Sequence, residues 1–139
     1  MDQIIKHLIQ TTIPYGHSIP LLGNFLKLTH IRNTGAAFSL FTGYSSYLVI
    51  IGAIIVCVLI YFHYHASRKD LFVQSALAFI LGGSLGNLSD RIFHSYVVDY
   101  VHFYFCPIFN LADVMINVGI VMLILHLIQK GEKDAANLI

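Results

Sequence analysis

Charged side chains are scarce in this 139-residue chain: they make up 11% of it, against about 25% in an ordinary soluble domain. Hydrophobic residues make up 57%, and the mean hydropathy is +0.74. A water-soluble fold of this size has too little interior to hide so much apolar surface, so lipid is the expected solvent. The net charge is only +1, and no basic patch with interleaved aromatics occurs, so no nucleic acid partner is expected. Cysteine is scarce too. Cys57 and Cys106 are too few for a disulfide framework and form no C-x-x-C pair. Cys57 lies in an apolar run and reads as a small hydrophobe. The N-terminus lacks the basic, apolar and small-residue order of a cleavable signal peptide. There are no repeats or heptads. No G-x-S-x-G or Cys/His pairing supports a covalent nucleophile. "LGGSLGN" lacks the lysine of a phosphate-binding loop. His63 and His65 form an H-x-H in what reads as a cytoplasmic loop, without acid or cysteine ligands nearby. The other histidines are scattered, so neither a metal site nor a cofactor is expected.

What is present is long apolar runs. Residues 44–63 contain no charged side chain, and at 1.5 Å per residue they reach about 30 Å, the thickness of a hydrocarbon core. Residues 71–88 form a second candidate span, rich in Gly, Ala and Ser, which suits close helix packing. Residues 111–128 form a third. Residues 2–13 look like part of a helix, but about 18 Å is too short to span. Residues 14–43 carry Pro, Gly and an alternation around Phe25–Thr29, and read as a small β-rich module at one membrane surface. Arg68 and Lys69 lie between the first two long spans, and Lys130 and Lys133 follow the last. Those segments are expected to be cytoplasmic, which puts residues 14–43 and 89–110 together on the outer side. The expectation is a single membrane-embedded domain over residues 1–139.

One stretch breaks the apolar pattern. "DRIFHSYVVDYVHFYFCPIFNLAD" holds Asp90, Asp99 and Asp113, three of the seven acidic residues. An acid at membrane depth costs roughly 2.5–3.5 kcal/mol on insertion scales, so each is a functional candidate. Two such acids in one partly dry site cannot both ionise cheaply and tend to share a proton. A pair of that kind suits peptide hydrolysis through water, one acid ionised and one protonated. Spacing alone leaves Asp90 and Asp99 open as the partner of Asp113. It also allows Asp113 to be a helix N-terminal acid and Asn110 a cap. Asn87, Asp90 and Arg91 read equally as a structural polar network, and Asn33 as a turn residue before Gly35. A proton or ion relay using the same acids, or a scaffold without catalysis, are the other classes. Clustering of the acids at one level favours hydrolysis over both.

"RNTGAAFS" (32–39), "GGSLGNLSDR" (82–91), "VVDY" (97–100) and "FNLAD" (109–113) stand in this order, with "DQIIK" at 2–6. Together they resemble the lipoprotein signal peptidases, also called signal peptidase II, over nearly the whole chain. The resemblance implies a four-transmembrane-helix bundle with a small β-rich extracytoplasmic module between the first and second helices. It implies a metal-free aspartic endopeptidase of the bacterial cytoplasmic (inner) membrane, working near the outer leaflet. Its substrate would be a lipid-modified prolipoprotein, cut before the diacylglyceryl-cysteine. It would contact membrane lipid, act as a monomer and be blocked by globomycin. The catalytic pair maps onto Asp99 and Asp113. Asn33, Asn87, Asp90, Arg91 and Asn110 map onto residues that shape the site or bind substrate. The run Gly82-Gly83-Ser84 is expected to leave room for a substrate chain between helices. Family members usually carry about half a helix before the D-Q motif, so a start upstream of Met1 is expected. The loop from Asp99 to Asp113 is short for the family, which would affect gating more than chemistry.

Overall fold

A computed structural model describes residues 1–35 and 45–136. Residues 36–39 of "RNTGAAFS", the end of the β-rich module and the first residue of the expected span 44–63 lie outside the described residues. The described chain has four helices and one sheet. They are α1 (Asp2–Thr12), β1 (Ser18–Leu22), β2 (Leu26–Asn33), α2 (Ser45–His65), α3 (Leu71–His94), β3 (Val97–Phe103) and α4 (Leu111–Ala136).

Three of these helices, α2, α3 and α4, are long and apolar enough to cross a membrane. Large hydrophobic side chains cover their outer faces and stay exposed, such as Ile50, Ile54, Tyr61, Phe79, Val121 and Leu125. That is how a bundle looks when lipid rather than water is its solvent. α3 packs against both α2 and α4. The α3–α4 contact is made by small residues. A Cβ on Gly83 would strike the Ala112 carbonyl and Ile116, and one on Gly119 would strike Ala76 and Ile80. The small-residue run therefore serves close helix approach, and not the expected gap for a substrate chain. His63 and His65 fall in the last turn of α2 and not in a loop, and the His65 ring bonds the Tyr61 carbonyl at 2.8 Å.

The sheet has the order β1-β2-β3, antiparallel throughout. Its third strand comes from the segment between α3 and α4, so the β-rich module is not confined to the stretch between the first two helices. β1 and β2 form a hairpin, with Gly23 at φ +55° in its turn. β2 and β3 place Ile31 opposite Asp99 and Leu28 opposite Val101. Ile9 and Ile13, from α1 and its end, pack on Val98 and Tyr100 of β3. His30 is buried, and its Nδ1 bonds the Ile13 carbonyl at 2.8 Å. Arg32 lies between the Tyr15 and Tyr96 rings, at 5.2 and 5.0 Å, a cation–π sandwich that fastens the sheet to the end of α3.

Candidate active site

Two elements bring the acids together. Asp99 sits mid-strand in β3, and Asp113 in the first turn of α4. The first turn of a helix leaves its N–H groups without backbone partners, and here side chains fill every place. The Leu111 N–H donates to the Tyr100 hydroxyl at 3.1 Å, and the Ala112 N–H to Asp2 Oδ1 at 3.0 Å. Asn110 and Asp113 complete a reciprocal capping box. The Asp113 N–H donates to Asn110 Oδ1 at 3.0 Å, and the Asn110 N–H to Asp113 Oδ2 at 3.1 Å. Asn110 is thus a helix cap and, in the same geometry, a hydrogen-bond partner of both acids.

Asparagine donors fix the carboxylates. Asn110 Nδ2 donates to Asp99 Oδ1 at 2.6 Å, and Asn33 Nδ2 donates to Asp99 Oδ2 at 3.0 Å. Asn87 Nδ2 donates to Asp113 Oδ1 at 2.8 Å. Asn33 also accepts from the Gly35 N–H at 2.9 Å, so it is a turn residue as well. Arg91 donates to the Gly35 carbonyl at 3.0 Å and to the Asn87 carbonyl at 3.4 Å, and holds that turn beside the acids. Asn33, Asn87, Arg91, Asp99 and Asp113 line one cavity of about 680 Å³. Its other wall is largely apolar, from Pro107, Ile108 and Phe109 to Val114, Ile116 and Val118. Burial raises the Asp99 carboxyl to about 6, and the nearby Asp113 charge adds to that rise. The donors on Asn33 and Asn110, and the Lys6 charge, oppose it.

Two of the seven sequence candidates stand behind the cavity wall. Asn110 is fully buried and reaches both acids from below. Asp90 faces α1: its Oδ1 accepts from Gln3 at 2.8 Å, and its Oδ2 meets Lys6 at 2.9 Å and the Val98 N–H at 3.3 Å. Sequence reasoning passed over Asp2, Gln3 and Lys6 as individual contributors. Two opposite charges at i and i+4 on one face of a short amphipathic helix were the available signal, because such a pair can be buried together.

A profile of the Signal peptidase (SPase) II family matches residues 1–129. A lipoprotein signal peptidase of Clostridium novyi is 36% identical over 137 residues, covering 95% of this chain and 93% of the relative. One from Halothermothrix orenii is 38% identical over 130 residues, covering 94% and 89%. A bacterial membrane enzyme solved by the in meso method at 2.3 Å resolution superposes with a TM-score of 0.90 at 34% identity. That match covers 95% of this chain and 83% of the other. A second such enzyme, at 1.9 Å resolution, gives 0.82 at 36% identity, covering 91% and 84%. Profile, relatives and superposition run over the same near-complete length as the cavity and its acids, and the chain belongs to the signal peptidase II family.

Proposed function

We propose that this membrane peptidase removes signal peptides from lipid-modified prolipoproteins through Asp99 and Asp113. The observation that carries the reading is the shared cavity. Two acids from different elements open into it, each oriented by asparagine side chains. Asp99, the acid raised by burial, holds the shared proton, and Asp113 is ionised. Asp113 takes a proton from water as the water oxygen attacks the scissile carbonyl, and Asp99 protonates the carbonyl oxygen. As the resulting diol collapses, the C–N bond breaks, Asp113 protonates the departing amine and Asp99 regains its proton. Asn33, Asn87 and Arg91, which line the cavity, are placed to bind substrate. Asp90 and Asn110 support them from behind.

The chain acts as a multi-pass protein of the bacterial inner membrane, and as a monomer, since one copy supplies the whole cavity wall. α1 serves as a short fourth helix at the outer end of the bundle, packed on the end of α3. The site lies at the outer leaflet. What supports this is the distribution of charge: Arg68, Lys69, Lys130 and Lys133 belong to the bundle end away from the sheet. His126 of α4 and Asp70 at the start of α3 meet there at 3.6 Å. The apolar cavity wall suits the acyl chains of a diacylglyceryl-cysteine.

The test is a gel-shift assay in detergent with a diacylglyceryl-modified prolipoprotein. Wild type cleaves it. Asp99→Asn and Asp113→Asn each lose at least a thousandfold in rate while staying folded in the membrane. Activity surviving in either variant removes that acid from the chemistry.

A further inference from the structure

The most completely bonded buried cation in the fold lies behind the site. Lys6 is 2% exposed, among the most buried side chains of the described chain. An ammonium has three N–H donors and no acceptor. All three are used. Lys6 Nζ meets Asp2 Oδ2 at 2.8 Å, Asp90 Oδ2 at 2.9 Å and Asn87 Oδ1 at 2.9 Å. Two of these are ion pairs, which hold α1 on α3. The third goes to a neutral amide, and it is the one that reaches the acids.

A side-chain amide has two ways round. With Oδ1 toward Lys6, Asn87 turns Nδ2 toward Asp113 and donates to it at 2.8 Å. Flipped, it would set NH₂ against the ammonium and carbonyl oxygen against the carboxylate, two repulsions in place of two bonds. The same Oδ1 accepts from Asn110 Nδ2 at 3.2 Å, and that Nδ2 also donates to Asp99 at 2.6 Å. Asn110 is itself held the right way round by the Asp113 N–H on its Oδ1. The chain Lys6–Asn87–Asn110 therefore ends on both acids.

We propose that Lys6 is a positioning residue for the aspartate pair: by holding Asn87 Oδ1, its ammonium orients the amides that donate to Asp113 and Asp99. This rests on the aspartate-pair reading above. Lys6 is not among the residues that line the cavity. Its loss is therefore expected in kcat and not in KM.

Removing Lys6 alone strands two carboxylates, which threatens folding. The cluster of one ammonium and two carboxylates has formal charge −1, and Asp2→Asn/Lys6→Met keeps it at −1 with Asp90 still bonded by Gln3 and Val98. The experiment measures melting temperature, kcat and KM in detergent with a diacylglyceryl-modified prolipoprotein. It compares wild type with Asp2→Asn, Lys6→Met and the double variant. Asp2→Asn, which alters the contact with the Ala112 N–H by itself, is the reference against which the double variant is read. Both variants without Lys6 are expected to lose tenfold or more in kcat with KM within about threefold. A folded double variant with wild-type kcat, or one whose loss is all in KM, overturns the proposal. If neither variant without Lys6 folds, Asn87→Asp decides. Its carboxylate keeps the Lys6 contact and removes the donor to Asp113, so a folded protein with kcat down tenfold is expected. Wild-type kcat, or failure to fold beside a ready ammonium, overturns the idea. An inert wild type, or cleavage by Asp99→Asn or Asp113→Asn, would instead sink the aspartate-pair reading.

Discussion

Asp99 carries the clearest pH signature. Its carboxyl is raised to about 6 by burial, against an ordinary value of 3.8. The fold therefore disfavours its ionised form. Its contribution to stability is complete below pH 3.8 and is lost as pH rises through about 6. Melting curves in detergent between pH ~4 and ~7 should show a steeper decline for wild type than for Asp99→Asn. On the proposed mechanism, activity follows the same proton. Cleavage should fall as pH rises past a limb at or above about 6, because bound substrate displaces water and raises Asp99 further. A kcat profile flat to pH ~9 would show that Asp99 does not hold the shared proton. Asp113 was legible in the sequence as an acid at the head of an apolar helix. Its partner was not. Asp90 and Asp99 look alike along the chain, and Lys6 tells them apart: it reaches across from α1 and engages Asp90 in an ion pair. That contact spans more than eighty positions, beyond the reach of any local pattern.

At the scale of elements, the α3–α4 contact sets where the acids stand, because Asp113 rides on α4 and Asn87 on α3. Gly83 and Gly82 give a paired test of that contact. Alanine in place of glycine favours a helix by about 1 kcal/mol. At Gly83 the new methyl meets the Ala112 carbonyl and Ile116, and overpacking of roughly 1–3 kcal/mol wins. At Gly82 it meets only the end of the Met115 side chain, which can move aside. Melting temperature should fall for Gly83→Ala and hold or rise for Gly82→Ala. Equal effects would mean the helices do not approach as closely as described. The three long helices were legible from hydropathy alone. β3 was not read as a strand, although "VVDYVHF" is rich in β-branched and aromatic residues. α3 runs on to His94, beyond the apolar run that ends at Leu88. Its polar last turns are stable because Gln3, Lys6 and the Gly35 carbonyl bond Asp90 and Arg91.

For the whole molecule, the expected topology is that Tyr104 and Ser67 lie on opposite sides of the membrane. Both are exposed and sit at opposite ends of the bundle. With Cys57 and Cys106 replaced by serine, a single cysteine at position 104 should react with a membrane-impermeant maleimide in intact spheroplasts. One at position 67 should react only after lysis. The reverse pattern would turn the site to the cytoplasm and end the outer-leaflet reading. The overall architecture was largely open to sequence reasoning, since composition names the solvent and hydropathy marks the three long helices. The site's inner scaffold was hidden, because α1 contributes through burial and not through hydropathy.

The bond from the Ala112 N–H to Asp2 Oδ1 joins residues 110 positions apart. It sets the order of events in biosynthesis. Tyr100, Asn110 and Asp113 cap the head of α4 from nearby in sequence, and the Ala112 N–H alone waits until α4 has been made and has met α1. The last contact at the head of α4 is therefore also the one of longest sequence separation, a late step in folding.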